Sequence, residues 1–304
     1  MSRPIAVLLL VICTMLWGLA FVFQKDAMQH MQPLTFAGVR YVLGSSLVLP
    51  LAIFEYRRRR AKGIVLSRAQ WIRIAILSLA FFLGVWLQQV ALTTTSVTNG
   101  GFITSLYVIF TPVVTYLTFR TRPHPIIYLG APLALVGIYM LTGARLDQFT
   151  IGDLQLLACA VCWGVQVSML GALVKETGLP IFISTINFFA TAVLSLIGAF
   201  LLESPQIGGI SAGWIPILYS GICSTAIAFT FQAIGQQYVP PANAAIILSA
   251  ESLFAALGGA LLLNERLPPV GYAGAAIIFL AIVTVELVPA LRGRSRDPIV
   301  RESA

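Results

Sequence analysis

Two charged residues lie inside long apolar segments, where an unpaired charge is costly. Arg40 falls in segment 32–54 and Glu251 in segment 242–263. A guanidinium can bind a carboxylate through two parallel hydrogen bonds, and a carboxylate can bind an ammonium group or carry a proton. The two residues therefore predict a binding site for a small charged molecule, with Glu251 as the candidate for proton coupling. The structural alternatives are an Arg40–Glu251 ion pair and an Arg40 side chain that extends to an interface.

Three tryptophans deep in apolar segments each have a glutamine one or two helical turns further along. The pairs are Trp17 with Gln24, Trp86 with Gln89, and Trp163 with Gln166. On a helix this spacing places an aromatic surface beside an amide. Such groups can line a cavity for aromatic or amphipathic solutes, and they can equally join helices by hydrogen bonds.

Further polar candidates lie within apolar segments or at their ends. Asn99 and Asn243 are each expected to open a helix, where asparagine either caps the end or helps it face an anionic solute. Tyr107 precedes Pro112 in one segment, and a proline can free backbone groups to bind solute. Asn187 and Gln232 are amides in the middle of segments and complete the candidate set.

The composition of the chain determines how these residues must be held. The 304 residues are 58% hydrophobic and 10% charged, whereas ordinary soluble domains are about 25% charged. This excludes a soluble globular domain and a disordered chain. The net charge of +8 could suggest nucleic acid, but the chain lacks room for a soluble basic domain, so no nucleic-acid partner is predicted.

Uncharged stretches of about 20 residues, the length that crosses a bilayer, recur along the chain. They predict an all-α polytopic membrane protein with ten transmembrane helices and short links. A Thr- and Gly-containing break at 93–101 separates the third helix from the fourth. The other expected spans are 4–24, 32–54, 123–144, 154–174, 177–202, 214–236, 242–263 and 267–288.

The basic residues predict the orientation of these spans. Fifteen of the 19 Lys and Arg residues fall at one membrane face if both termini share that face. Because cytoplasmic loops carry the excess of Lys and Arg, this face and both termini are predicted to be cytoplasmic. The run 57–60 is the strongest marker, and it could also contact anionic lipid headgroups.

The two halves of the chain resemble each other. Trp17-Gly18 aligns with Trp163-Gly164 at an offset of 146, and Asn99 aligns with Asn243 at an offset of 144. We expect one five-helix repeat over 1–146, a second over 147–291, and a basic cytoplasmic tail over 292–304. Five is odd, so the second repeat must cross the membrane inverted. Inverted repeats are typical of secondary transporters, whose substrate site lies between the halves near the midplane.

Several motifs resemble a known family. They are the two Trp-Gly pairs, Phe36-Ala37-Gly38-Val39-Arg40-Tyr41, and Ser249-Ala250-Glu251-Ser252 followed by Leu263-Asn264-Glu265-Arg266-Leu267-Pro268. The chain resembles the ten-helix EamA type of the drug/metabolite transporter superfamily, and within it the YddG-type amino-acid exporters. The family has a proline where Ser252 stands. The resemblance implies an inner-membrane carrier of small metabolites, often an exporter, with no cofactor.

The combined prediction is a transporter of small metabolites, with amino acids, including aromatic or neutral ones, as the leading substrate class. Drug or multidrug export and nucleotide-sugar or sugar-phosphate transport are the alternatives within the superfamily. A lipid-flipping protein or a membrane scaffold is the alternative outside transport, and a dry, closed interior would favour it. The sequence leaves open whether the protein is a monomer or a homodimer.

Catalysis and metal binding are not expected. The sequence lacks an intramembrane histidine and paired intramembrane aspartates, so a nucleophile would lack its base. Its two histidines, His30 and His124, are far apart in links, which predicts no metal site. There is no G-x-x-x-x-G-K-[ST] loop for ATP. We therefore predict no enzyme activity and no cofactor.

Overall fold

The computed structural model of the protein describes residues 1–63, 65–142, 150–262 and 269–291, and this described part contains no β-strand. A π-helical stretch (Tyr219–Phe229) interrupts one helix. The helices are α1 (Arg3–Ala27), α2 (Pro33–Arg60), α3 (Arg68–Ala91), α4 (Val97–Thr104), α5 (Tyr107–Phe119), α6 (Ile127–Thr142), α7 (Ile151–Thr177), α8 (Pro180–Leu202), α9 (Ile207–Ala212), α10 (Trp214–Leu218), α11 (Thr230–Gln236), α12 (Pro241–Leu248), α13 (Glu251–Leu262) and α14 (Pro269–Leu291).

Eight segments are long and apolar enough to cross a membrane, and two shorter apolar helices, Ile127–Met140 and Pro269–Val285, complete the predicted series. The all-α polytopic membrane fold is therefore confirmed. We number the spans one to ten in chain order: α1, α2, α3, α4 with α5, α6, α7, α8, α10 with the π-helical stretch and α11, α12 with α13, and α14.

Local sequence explains where several spans begin. Pro33, Pro180, Pro241 and Pro269 each open a helix, where a missing N–H costs nothing because the first turn has no partner for it. Span two extends six residues beyond its predicted end, through the run 57–60. Positive side chains in a last helical turn interact favourably with the helix dipole, which explains the extension.

Contacts between the spans follow an approximate two-fold symmetry. Span two packs on span seven, and span five packs on span ten. Span one contacts spans eight and nine. In the other half, the equivalent span six contacts the equivalent spans three and four. Each contact has its counterpart after exchange of the two halves, so the repeat seen in sequence is also a repeat in space.

Spans two and seven run antiparallel. Near the start of span two, the Thr35 amide donates to Glu203 at the end of span seven, at 2.8 Å. Near the start of span seven, the Phe182 amide donates to Glu55 toward the end of span two, also at 2.8 Å. The equivalent helices of the two halves thus point in opposite directions, as an inverted repeat requires.

Some sequence predictions fall outside the described residues. These are the boundary at 146/147, the motif 263–268 and the tail 292–304.

Candidate functional site

Spans four and nine each tighten near their middle, and we call these two tight turns the breaks. The α-helical pattern stops between Thr104 and Tyr107 in span four and between Leu248 and Glu251 in span nine, where backbone hydrogen bonds between residues three apart replace those four apart. The breaks are 144 residues apart, the offset of the sequence repeat. Such tight turns inside a helix often mark a functional site. The second half-helix of each span begins at Tyr107 or at Glu251.

Serine side chains satisfy part of the backbone at these breaks. Ser105 Oγ donates to Gly101 O at 2.7 Å, and Ser249 Oγ donates to Ile246 O at 2.8 Å. The two serines are equivalent in the repeat and lie close together, with Ser105 Oγ 3.5 Å from Ser249 O. The approximate two-fold axis therefore passes between the two breaks.

A cavity lies beside the breaks, between the two halves. Its volume is about 30 Å³, room for about one or two water molecules, so the two halves nearly close the cavity in this structure. Its wall combines aromatic rings, amides, one guanidinium and one carboxyl group. The lining residues are Trp17, Phe21, Gln24, Arg40, Gln88, Thr104, Tyr107, Trp163, Gln166, Val167, Ser224, Phe229, Gln232 and Glu251.

Arg40 is held inside the protein by aromatic rings. It is 4% exposed, and its guanidinium carbon lies 5.2 Å from the Phe36 ring centroid and 4.8 Å from that of Tyr41. Nη2 is 3.4 Å from the Tyr41 hydroxyl, whereas Nε and Nη1 have no hydrogen-bond partner among the described residues. Burial rules out extension to an interface, and a guanidinium with two unused donors can accept an anion.

Glu251 is 5% exposed and opens its half-helix beside the cavity. Its Oε1 and the Tyr107 hydroxyl are buried without a hydrogen-bond partner in the described part of the chain. The two side chains are near enough to interact electrostatically. The alternative of a direct Arg40–Glu251 ion pair is wrong, because neither Nε nor Nη1 of Arg40 is bonded to the carboxyl group. Both groups thus retain capacity for a ligand.

Amides connect the helices around the cavity. Gln88 Nε2 donates to Gln24 Oε1 at 3.2 Å, while Gln88 Oε1 accepts the Trp163 indole N–H at 3.0 Å. Gln166 and Gln232 form a reciprocal pair with both N–O distances at 3.1 Å. These amide side chains therefore form hydrogen bonds between helices and also line the cavity.

The aromatic part of the wall is continuous. Phe229 lies between the two tryptophans, with ring centroids 4.5 Å from Trp17 and 5.7 Å from Trp163. The Trp17 indole N–H donates to the Ser224 carbonyl at 3.2 Å. Ser224 belongs to the π-helical stretch, and such stretches are frequent at functional sites because their wider turn rearranges backbone carbonyls.

The structure brings together eight of the thirteen predicted site residues. They are Trp17, Gln24, Arg40, Tyr107, Trp163, Gln166, Gln232 and Glu251. Trp86 and Gln89 are not among the lining residues: the Trp86 ring faces Phe82 at 6.2 Å, and Gln89 Nε2 donates to Gln24 O at 3.0 Å. Their neighbour Gln88 faces the cavity instead, because successive residues of a helix point about 100° apart.

The three asparagines also lie outside the cavity lining. Asn187 accepts a hydrogen bond from Ser78 Oγ at 2.8 Å, and Asn243 Nδ2 lies 3.5 Å from Val285 O. Asn99 does not open its helix as predicted, because Ser96 occupies the capping position and accepts from the Asn99 amide. Asn243 likewise stands inside helix α12, which Pro241 opens.

Six lining residues were absent from the sequence-based set. They are Phe21, Gln88, Thr104, Val167, Ser224 and Phe229. The repeat offers a signal for one of them, since Gln88 is 144 residues from Gln232 and the two are therefore equivalent. Nothing in the sequence distinguishes Phe229 or Val167 from the many other apolar residues of the spans.

The repeats place different chemistry at equivalent positions. Arg40 and Asn187 are each seven residues beyond the proline that opens their helix, and Tyr107 and Glu251 each open a half-helix. One half thus contributes the cation and the other the anion. Asn187 is already bonded to Ser78, whereas the guanidinium of Arg40 keeps two free donors. The cavity is symmetric in backbone and asymmetric in charge.

A ten-span bundle of two inverted repeats around a midplane cavity, with broken helices beside it, defines the class of secondary-transporter folds. The EamA-like transporter family model matches residues 4–143 and 150–287, one match in each half. The chain belongs to this family, and the predicted resemblance is confirmed.

Similar proteins support this assignment. An uncharacterized transporter of Archaeoglobus fulgidus is 31% identical, over 94% of this chain and 87% of its own length. The uncharacterized transporter YwfM of Bacillus subtilis is 26% identical, over 95% of this chain and 96% of its own length. A solved crystal structure shares the fold, with a TM-score of 0.76 and 19% identity over 97% of this chain and all of the other.

Proposed function

We propose that the protein is a secondary transporter that moves small zwitterionic metabolites by alternating access, with amino acids, including aromatic and neutral ones, as the leading class. The observation that carries this proposal is the presence of an unpaired guanidinium, on Arg40, and an unpaired carboxyl oxygen, on Glu251, beside one aromatic cavity. A ligand with one negative and one positive group complements both.

The proposed arrangement assigns each part of an amino acid to a part of the cavity. The substrate carboxylate binds the free nitrogens of Arg40, and its ammonium group binds Glu251. An aromatic or other apolar side chain packs on the rings of Trp17, Trp163 and Phe229, where ring–ring contacts add to the burial of apolar area. The amides of Gln24 and Gln88 offer further hydrogen bonds.

Phosphorylated substrates fit the cavity less well. Phosphate groups favour several cations, and Arg40 is the one Lys or Arg among the described lining residues. Apolar cationic drugs fit the aromatic wall and Glu251 but leave Arg40 buried without an anion. A panel of ligands separates these classes.

The test uses the purified full-length chain in detergent and then in proteoliposomes. A ligand that binds the native state raises the apparent melting temperature. Neutral and aromatic amino acids are expected to stabilise the protein and to be taken up by proteoliposomes, whereas sugar phosphates and cationic drugs are not. Stabilisation by drugs alone, or folded protein that moves no amino acid, would overturn the substrate assignment.

The placement in the cell forms part of the proposal. We place the protein in the inner membrane with both termini cytoplasmic, because the basic run 57–60 marks the cytoplasmic face, and we propose export as the physiological direction. Side-specific labelling of a cysteine introduced at Arg3 or Lys62 tests the orientation. Labelling from the cell exterior would contradict it.

A further inference from the structure

Glu203 ties the end of span seven to the start of span two. Its Oε1 accepts from the Leu34 amide at 2.7 Å, and its Oε2 accepts from the Thr35 amide at 2.8 Å and from the Thr35 hydroxyl at 2.7 Å. These amides are among the first of helix α2, which lack partners inside the helix. The carboxylate therefore acts as an N-terminal cap supplied by the other repeat.

Glu55 makes the equivalent contact at the other end of the same helix pair. Its Oε2 accepts from the Phe182 amide in the first turn of helix α8, at 2.8 Å. Thr35 and Phe182 are 147 residues apart, and Glu55 and Glu203 are 148 residues apart. The two carboxylates are thus counterparts in the inverted repeat.

The two caps lie at opposite membrane faces, because spans two and seven are antiparallel. Glu55 lies two residues before the run 57–60, and we call the membrane face at that end of span two the basic face. Glu203 lies at the opposite face. Both caps join one repeat to the other, and each holds the first turn of a helix. Five residues beyond the capped Thr35 lies Arg40, and five beyond Phe182 lies Asn187.

We propose that Glu203 and Glu55 are paired latches, each of which holds one membrane face closed and releases when the cavity opens to that face. The inference rests on the proposed transport by alternating access. Spans two and seven can separate at one end while the cap at the other end remains as the pivot. Both caps are a carboxylate on first-turn amides, but Glu203 accepts three hydrogen bonds and Glu55 one.

The surroundings of Glu203 suit a bond that breaks and reforms. A cavity of about 230 Å³ lies beside its hydrogen-bond partner Thr35 and the next residue, Ser204; it is lined by His30, Met31, Gln32, Thr35, Ser204, Pro205 and Gln206. Water in such a polar space can replace the hydrogen bonds that a released carboxylate loses. Charge-assisted hydrogen bonds are strong. Weakening one latch is therefore expected to change the population ratio of the two open states about tenfold.

The test compares Glu203→Gln, Glu55→Gln and the double variant in the full chain carrying Ser224→Cys, which places a thiol at the cavity wall. A membrane-impermeant maleimide is applied to membrane vesicles of either orientation, and the rate of S224C labelling is measured from each face. The chain without S224C corrects for the native cysteines. Asp153→Asn is the matched control, because Asp153 caps its own helix, α7, through Thr150 and joins no second repeat.

We expect Glu203→Gln to raise labelling from the face opposite the basic face and lower it from the basic face, each severalfold. Glu55→Gln should do the reverse, and the double variant should return the ratio toward that of the parent. A merely structural role predicts instead that both variants shift the ratio in the same direction and that the double variant shifts it further. Shifts in the same direction, a double variant further from the parent ratio than either single variant, unchanged labelling ratios, or an equal shift in Asp153→Asn would each overturn the latches.

The experiments can refute the latches and the proposed transport function independently of each other. Labelling requires no substrate, so the expected ratios without uptake of any metabolite would support the latches and overturn the proposed function. Unchanged ratios with normal amino-acid uptake would overturn the latches alone.

Discussion

Tyr107 and Glu251 occupy equivalent positions of the two repeats, 144 residues apart, and each opens the second half of a broken helix beside the cavity. The repeat thus presents a phenol from one half and a carboxyl group from the other at the approximate symmetry axis. A carboxyl group gives up a proton far more readily than a phenol, so the chemical difference between the two halves supplies a candidate for proton coupling.

Replacement of Glu251 by Gln tests this coupling. The amide cannot release a proton, so transport driven by a pH gradient should be lost. Its oxygen can still accept a hydrogen bond from the substrate ammonium group, so exchange without a gradient should continue at saturating substrate, with weaker affinity. Both are measured in proteoliposomes with radiolabelled substrate. Tyr107→Phe is the control, since it removes the neighbouring hydroxyl and leaves the carboxyl group able to titrate. Equal loss of both activities in Glu251→Gln, or loss of neither, would contradict a coupling role.

Replacement of Arg40 by Gln should weaken substrate binding. The free guanidinium nitrogens are the proposed partners of a substrate carboxylate, and charged hydrogen bonds contribute about 1.5–3 kcal/mol each, so affinity should fall at least tenfold. Tryptophan fluorescence titration gives the Kd, because Trp17 and Trp163 line the cavity. An amino-acid analogue without its carboxylate should bind both forms alike. A loss of affinity for that analogue as large as for the amino acid would argue against the assigned contact.

The neighbouring glutamines of span three should behave differently. Gln88 lines the cavity and joins Gln24 to Trp163, whereas Gln89 donates to a backbone carbonyl outside the cavity lining. Gln88→Ala is expected to reduce substrate affinity about fivefold, because Gln24 and Trp163 lose the side chain that holds them at the cavity wall and one neutral hydrogen bond contributes about 1 kcal/mol. Gln89→Ala should lower the melting temperature, because it removes a hydrogen bond between helices. The Kd should change by no more than about twofold, which is less than the loss of one hydrogen bond to the substrate would cause. The reverse result would place the other face of span three at the cavity.

The glycines of the two Trp-Gly pairs should be essential for packing. A Cβ at Gly18 would lie 2.7 Å from the Glu251 carbonyl oxygen of span nine, and one at Gly164 would lie 2.7 Å from Phe110 Cβ of span four. Alanine at either position forces the helices apart, and overpacking of this kind costs about 1–3 kcal/mol. Thermal unfolding in detergent should show a lower melting temperature for both variants.

Gly208 provides the control for this measurement. A Cβ there meets no atom within 4 Å, so Gly208→Ala should leave the melting temperature nearly unchanged. If Gly18→Ala unfolds at the temperature of the parent chain, close packing of spans one and nine is not what requires the glycine.

The sequence predicted the spans well, but it predicted less well which face of each helix points to the cavity. Hydropathy alone separates ten apolar segments, because the bilayer demands a set length of apolar chain. It does not reveal which way a residue of a uniformly apolar helix points. That is why Trp86 and Gln89 were expected at the cavity where Gln88 is found, and why Phe229 was not expected at all.

The residues that begin helices, and the breaks within spans four and nine, were even harder to predict from the sequence. Asn99 and Asn243 are plausible helix-opening residues by type, yet Ser96 and Pro241 begin those helices. The breaks before Tyr107 and Glu251 contain no proline or glycine in 105–106 and 249–250, so no local residue announces them. Backbone hydrogen bonds between residues three apart continue through each break, and the hydroxyl groups of Ser105 and Ser249 add bonds to nearby carbonyls.

The membrane class, the number of spans and the inverted repeat could be predicted from the chain alone, since they follow from segment lengths, charge positions and the odd number of helices in each half. The folded protein was needed to find that Arg40 and Glu251 lie beside one cavity without pairing, and that Glu55 and Glu203 cap each other's helices. Such contacts join residues well over a hundred positions apart. Their distances arise from the packing of one repeat on the other, which no local pattern of residues encodes.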